Sequence, residues 1–188
     1  DICGPDKTAS YTYAGDFPGT SASASHVAGA AALLLSVYLN MTVDQLRAEL
    51  EAKAGDLGSS GKDNIYGAGK LNLPSPATYL SNVVINEFVP NPDGLNSEWV
   101  ELYNKGSQAV NIGGCWLDDV IPGGSAAQQI LNGTVIQPGG YYVHQLRAND
   151  GYLDNDGDTV NFLAPDKTTG IETKSFGSSS SYPDQSIY

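Results

Sequence analysis

Two hydrophobic patterns follow one another along the 188 residues. Up to about residue 73, apolar positions come in helical spacing. Residues 21–38 (SASASHVAGAAALLLSVY) are small or apolar on every side. That predicts a helix needing cover all round, since alanine is a poor strand former. A second helix is predicted from Thr42 to about Ala54, with Val43, Leu46, Leu50 and Ala54 on one face. Thr42 and Gln45 have capping-box spacing, Glu49 and Lys53 form an i,i+4 pair, and Gly55 suits the C-terminal cap.

After Pro74-Ser75-Pro76 the period falls to two. Strands are predicted near 83–89, 98–103, 108–112, 115–119, 128–131, 133–136, 141–146, 159–163 and 170–176. In TVNFL, Val160 and Phe162 are expected on one face, Thr159 and Asn161 on the other. Turn signals separate the strands at Asn91-Pro92-Asp93-Gly94, Pro138-Gly139-Gly140 and Asn155-Asp156-Gly157. The expected organisation is an α-rich unit over 1–73, a linker over 74–81 and an all-β sandwich over 82–188. The antibody-type Cys…Trp…Cys pattern is absent, so an immunoglobulin-like reading concerns architecture only.

Composition narrows the function classes. Hydrophobic residues make up 40% and charged residues 16%, a folded rather than a disordered balance. Net charge is −12, of which residues 74–188 carry −9, from thirteen acids and four bases. That half would repel a polyanion, so no nucleic-acid partner is expected. No apolar run is expected to reach the length of a membrane span, so no transmembrane segment is predicted. Cys3 and Cys115 are the two cysteines. Their spacing implies no metal site and leaves a disulfide between them open.

The stretch Gly19-Thr20-Ser21…His26-Val27-Ala28-Gly29 carries the candidate chemistry. A serine nucleophile needs a base, a group that orients the base, and donors for the oxyanion. A helix N-terminus provides such donors as orphan backbone N–H groups. Ser21 opens the apolar helix and small residues follow it, so the chemistry permits it as nucleophile. The plainer reading of a serine there is a helix N-cap. His26 lies five residues on, about 140° around the helix axis, and faces elsewhere.

These residues, with AAALLL after them, resemble the serine block of the subtilisin-like serine proteases (subtilases), whose pattern is close to G-T-S-x-A-x-P-H-V-A-G. The helix near 42–54 and the ending YGAGKLNL resemble the last helix and terminal segment of that catalytic domain. Ser25 stands where the pattern has proline, and Ser23 where alanine is usual. The resemblance implies Ser21 as the acylated nucleophile, with its backbone N–H as one oxyanion donor. It puts the base, the aspartate and the oxyanion asparagine upstream, in the order aspartate, histidine, serine. No histidine or asparagine precedes Ser21, and the other histidine, His144, lies in the β-rich half. Residues 1–73 then correspond to an α/β fragment, the C-terminal helices of a subtilisin-like domain.

The β-rich half has its own likeness. VVINEFVPNPDG, EWVELYN, NIGGCWLDD, TVIQPGGYYV and LDNDGDTVNFLAPD resemble the lamin tail domain, an immunoglobulin-like sandwich also found in bacterial exported proteins. Cys115 takes the place of the usual glycine before the tryptophan. Glu87, Glu98 and Glu101 are read as solvated strand or rim carboxylates rather than an acid–base set, and Trp99 and Trp116 as packing rather than a ligand platform. Asp154, Asp156 and Asp158 are read as a hairpin turn, with weak calcium binding as the alternative, and otherwise no cofactor is expected. Asn40-Met41-Thr42 and Asn132-Gly133-Thr134 are glycosylation sequons.

The combined expectation is the C-terminal part of an exported or cell-surface serine endopeptidase acting on proteins or peptides, inactive as this chain alone. The alternative is a non-catalytic module in which the lamin tail domain binds a protein or cell-surface partner and the subtilase remnant is inert.

Overall fold

The computed structural model describes residues 1–12, 15–93, 97–120, 127–146, 152–178 and 185–188. The chain divides into two compact units, Asp1–Pro74 and Ser75–Tyr188.

In the first unit a short hairpin, β1 (Thr8–Ala9) with β2 (Asp16–Phe17), leads into α1 (Thr20–Val37), and α2 (Val43–Lys53) follows. The Thr42 hydroxyl accepts from Gln45 N–H while the Gln45 side chain accepts from Thr42 N–H, the capping box in full. Lys53 lies 3.7 Å from Glu49, as its spacing predicts. Gly55 does not close the helix as expected. Ala54 caps it in an extended conformation, and Gly55 pairs instead with Lys70. That pairing needs Gly69, at φ 112°, because a side chain there would run into the Gly55 carbonyl.

The cover that α1 requires is mostly absent. Ala22, Ala30 and Leu34 are buried, whereas Leu33 is 62% exposed. The expectation that no apolar run reaches a membrane span is corrected here. With mean hydropathy 1.3, α1 is long and apolar enough by length and composition to cross a membrane, because its alanines and leucines outweigh its serines. The core helix of a soluble protein and a signal sequence near an N-terminus pass the same test.

The second unit is mostly antiparallel β-structure. It starts with a short helix, α3 (Pro76–Leu80), within the stretch expected to be a linker. Pro76 near the first helical position explains the turn: its fixed φ suits a helix start and the N–H it lacks would have had no helical partner.

One sheet has the order β3 (Val83–Val89), β4 (Trp99–Asn104), β9 (Tyr141–Gln145). A second runs β11 (Gly170–Gly177), β10 (Gly157–Leu163), β6 (Trp116–Asp118), β7 (Gln128–Gln129). β5 (Val110–Asn111) pairs with β8 (Val135–Ile136). The Phe88 and Phe176 rings meet 5.3 Å apart between the two larger sheets. Phe88, Leu102, Ile112, Leu117, Phe162 and Leu163 are fully buried, each contributing roughly 1.5–3 kcal/mol.

The elements agree with the predicted strands to within a few residues. Asn161 differs: it is buried along with Val160 and Phe162 rather than facing solvent. β10 is an interior strand, and the Asn161 amide is satisfied there by the Asp119 carbonyl and the Thr173 hydroxyl. The Pro138–Gly140 and Asn155–Gly157 turns form, closed by Gly140 N–H to Gln137 O and Gly157 N–H to Asp154 O. Gly94 of the predicted Asn91–Gly94 turn lies outside the described residues.

Candidate active site

Ser21 sits in the first turn of α1, exposed. It is not the N-cap. That place belongs to Gly19, at φ 94° and ψ 178°, a backbone shape that excludes most side chains. The N–H groups of Ala22 and Ser23 both turn back to the Gly19 carbonyl. The N–H groups of Thr20 and Ser21, one turn too early for an intrahelical acceptor, have no partner among the described residues and remain as the helix's orphan donors. The first turn contains no acidic side chain, so the positive end of the helix dipole is uncompensated from within α1.

The preceding loop holds this turn in place. The Asp6 carboxylate accepts from Gly19 N–H at 2.6 Å and from Lys7 N–H at 2.7 Å. Those two bonds, the Gly19 one foremost, hold the Asp6 carboxyl below its ordinary pKa. Sequence reasoning missed Asp6, because a carboxylate thirteen residues from its target leaves no periodic signal. Ser23, in the place of the usual alanine, donates its hydroxyl to the carbonyls of Gly4 and Pro5 at 3.1 and 3.0 Å. The chain passes so close that a side chain on Gly4 would meet the Ser23 backbone. Ser25, in the place of the usual proline, keeps the N–H that proline lacks, and its hydroxyl bonds to the Ser21 carbonyl at 3.0 Å. A groove of about 580 Å³ runs alongside, lined by Thr20, Ser23, Ala24, Val27, Ala28 and Ala31.

His26 is turned away from the serine, its Nδ1 2.8 Å from the Ala22 carbonyl. His144 lies on β9 in the other unit, its Nδ1 3.1 Å from the Tyr142 hydroxyl, and burial lowers its pKa. Among the described residues no hydrogen bond joins the His26 ring to Ser21. The site therefore comprises a serine, two orphan N–H donors and an anchored helix start.

The other singled-out residues have structural surroundings. Glu98 accepts from Leu153 N–H at 2.9 Å, and burial raises its pKa. Glu101 accepts from the Asn86 amide at 2.8 Å. Glu87 pairs across the sheet with Glu101. Trp99 lies in β4, while the Trp116 ring carries the Lys167 ammonium 3.6 Å from its centroid. The Asp154 and Asp158 carboxylates accept N–H groups of their own turn, from Asp156 and Asp154. Among the described residues no group of three or more His, Cys, Asp or Glu is placed to hold a metal ion. Both cysteines are free thiols, and burial pushes the Cys115 thiol up to about 12.

The sequence model of the lamin tail domain matches residues 76–178, more than half of the chain. The chain belongs to the lamin tail domain family. The lamin tail domain thus accounts for the β-rich unit, and the subtilase family model matches residues 2–69 ahead of it. An extracellular serine protease of Serratia marcescens is 37% identical over 76 residues, 40% of this chain and 7% of that protein. Subtilisin DY of Bacillus licheniformis is 44% identical over 59 residues, 31% of this chain and 20% of that enzyme. A subtilisin of Bacillus pumilus is 46% identical over 63 residues, 34% of this chain and 22% of that enzyme. The chain thus spans between 7% and 22% of the length of these relatives. No solved structure is a significant match.

Proposed function

We propose that this chain is the C-terminal part of an exported subtilisin-like serine endopeptidase whose catalytic unit is followed by a lamin tail domain. Ser21 is the nucleophile that attacks the scissile carbonyl of a protein or peptide. Its backbone N–H is one of the donors that receive the developing oxyanion. The observation that carries this reading is the placement of a GTS serine on the exposed first turn of an apolar helix, beside that helix's first N–H groups. The subtilase match over residues 2–69 and the relatives named as a serine protease and as subtilisins support it, and the extracellular relative supports export.

The base, its aspartate partner and the oxyanion asparagine come from sequence beyond this chain. The exposed sides of α1 support that, since a helix of alanine, valine and leucine is stable in a larger catalytic domain that covers it. The 188-residue chain alone is then inactive, because a serine hydroxyl without an adjacent base is a weak nucleophile.

A fluorophosphonate probe tests both parts. In a longer protein containing this chain, labelling should fall on Ser21 and vanish in Ser21→Ala. The isolated chain should neither label nor cleave casein. Peptidase activity of the isolated chain, lost in Ser21→Ala, would contradict the second part. Absence of labelling in a longer protein with all three partners would contradict the first. It would favour the lamin tail domain as a binding module beside an inert remnant, a reading supported by the extent of the match to that domain.

A further inference from the structure

The three-stranded sheet of the lamin tail domain has two edges, and they are treated differently. On the β3 side, the outward N–H of Ile85 donates to the Glu172 carboxylate. Phe88 exchanges both of its outward bonds with Ile187, from the chain's C-terminal segment. That edge is closed by the chain itself.

The β9 side is open among the described residues. Leu146 N–H donates to Glu98 O and Asn104 N–H to Gly140 O, which fixes the ladder's alternation. Tyr142 and His144 therefore point their backbone groups at β4. Tyr141, Val143 and Gln145 point theirs away from the sheet. Among the described residues no group bonds to those three outward N–H donors. Tyr141 is 59% exposed and Val143 44%, and Gln145 is exposed too. A regular strand with unpaired outward groups is a template for another strand.

The sheet face beside this edge has a distinct chemistry. Val143 lies opposite Glu101, which lies opposite Glu87. Tyr141 stacks on Tyr103, ring centroids 4.8 Å apart. The three strands contain no lysine or arginine. A strand added to β9 would lie about 10 Å from Glu101, two strand spacings away. An extended lysine or arginine on it can cross Val143 to that carboxylate, and one placed two residues along can lie over the Tyr141 ring.

We infer that the open edge of β9 binds an extended peptide segment of a protein partner, with lysine or arginine at alternate positions facing Glu101 and the Tyr103–Tyr141 pair, and Glu87 adding to the negative charge behind Glu101. Main-chain bonds supply the affinity and the acidic, aromatic face selects the sequence.

The test uses the isotopically labelled 188-residue chain and a ten-residue peptide of alternating lysine and valine. Amide exchange should slow at Tyr141, Val143 and Gln145 when the peptide is added. The double variant Glu87→Gln, Glu101→Gln should bind about tenfold more weakly, as expected when buried or half-buried charge pairs are lost. A peptide of alternating glutamate and valine should not bind. Thermal melts of the double variant confirm that it is folded. The inference is overturned by any of three results: protection that appears elsewhere or nowhere, a double variant that binds equally well, or a chain already paired through these three amides without peptide. The last would make the occupant a second copy.

Discussion

Replacing Asn104 by alanine removes the polar pin of the β-rich unit. Asn104 is completely buried at the end of β4. Its amide donates to the carbonyls of Gln108 at 2.7 Å and Ile136 at 3.0 Å, and its side-chain oxygen accepts from Gly106 N–H at 2.9 Å. Alanine deletes three hydrogen bonds, and at about 1 kcal/mol each the loss is about 3 kcal/mol. For a unit of this size that lowers Tm by about 12 °C. Asn104→Asp is the sharper variant. It keeps the shape but turns a carboxylate oxygen toward two carbonyls, costing about 2 kcal/mol more at neutral pH. Burial would raise the folded pKa of that aspartate above its unfolded value of about 3.9. The extra cost is therefore absent below pH 4 and grows as pH rises through the folded pKa. Urea unfolding followed by tryptophan fluorescence reads this unit, since Trp99 and Trp116 both belong to it. If Asn104→Ala costs under about 1 kcal/mol, or Asn104→Asp matches it at every pH, the reasoning fails.

Other expectations can be checked alongside. Cys3 should react with a disulfide reagent in the native chain while Cys115, buried and with its pKa pushed up to about 12, should react only after denaturation. Two fast thiols in the native chain would refute this. Asp118 is raised to about 6, first by burial and then by its neighbour Asp119. Its folded pKa lies above the unfolded value, so stability present below about pH 4 is lost as pH rises to 6. Asp118→Asn should then raise Tm at pH 7 and leave it nearly unchanged at pH 4, and an equal effect at both would count against the assignment. Ser23→Ala should cost about 1 kcal/mol by freeing the Gly4 and Pro5 carbonyls, seen as faster exchange of amides in the 1–6 segment.

The β-rich unit was largely legible because its strands alternate apolar and polar residues between turn residues, as in WVELYN with its alternately buried side chains. The capping box was legible for a similar reason: Thr42 and Gln45 act within one turn. What escaped was non-local. Nothing near Gly19 announces that Asp6 will hold its N–H. Nor does the sequence near Ser21 reveal that glycine, at a positive φ, takes the cap. Asn161 looked like a solvent-facing position because its partners, Asp119 and Thr173, come from separate strands and loops. Linker chemistry at Pro74-Ser75-Pro76 hid α3, since proline signals a break and a helix start alike. The serine itself was conspicuous, but among the described residues no side chain bonds to its hydroxyl.

The bridge from Ile187 to Phe88 has a consequence for how copies of this protein can meet. A sheet with one free edge can join another only once, so association through this sheet stops at a closed pair. Without that bridge, Phe88 would turn its N–H and C=O outward beside Ile85, whose N–H the Glu172 carboxylate still takes. Phe88 could then start a second junction, and joining through both sides of one sheet has no natural end. The Ile187 bridge thus limits pairing through this sheet to its β9 edge.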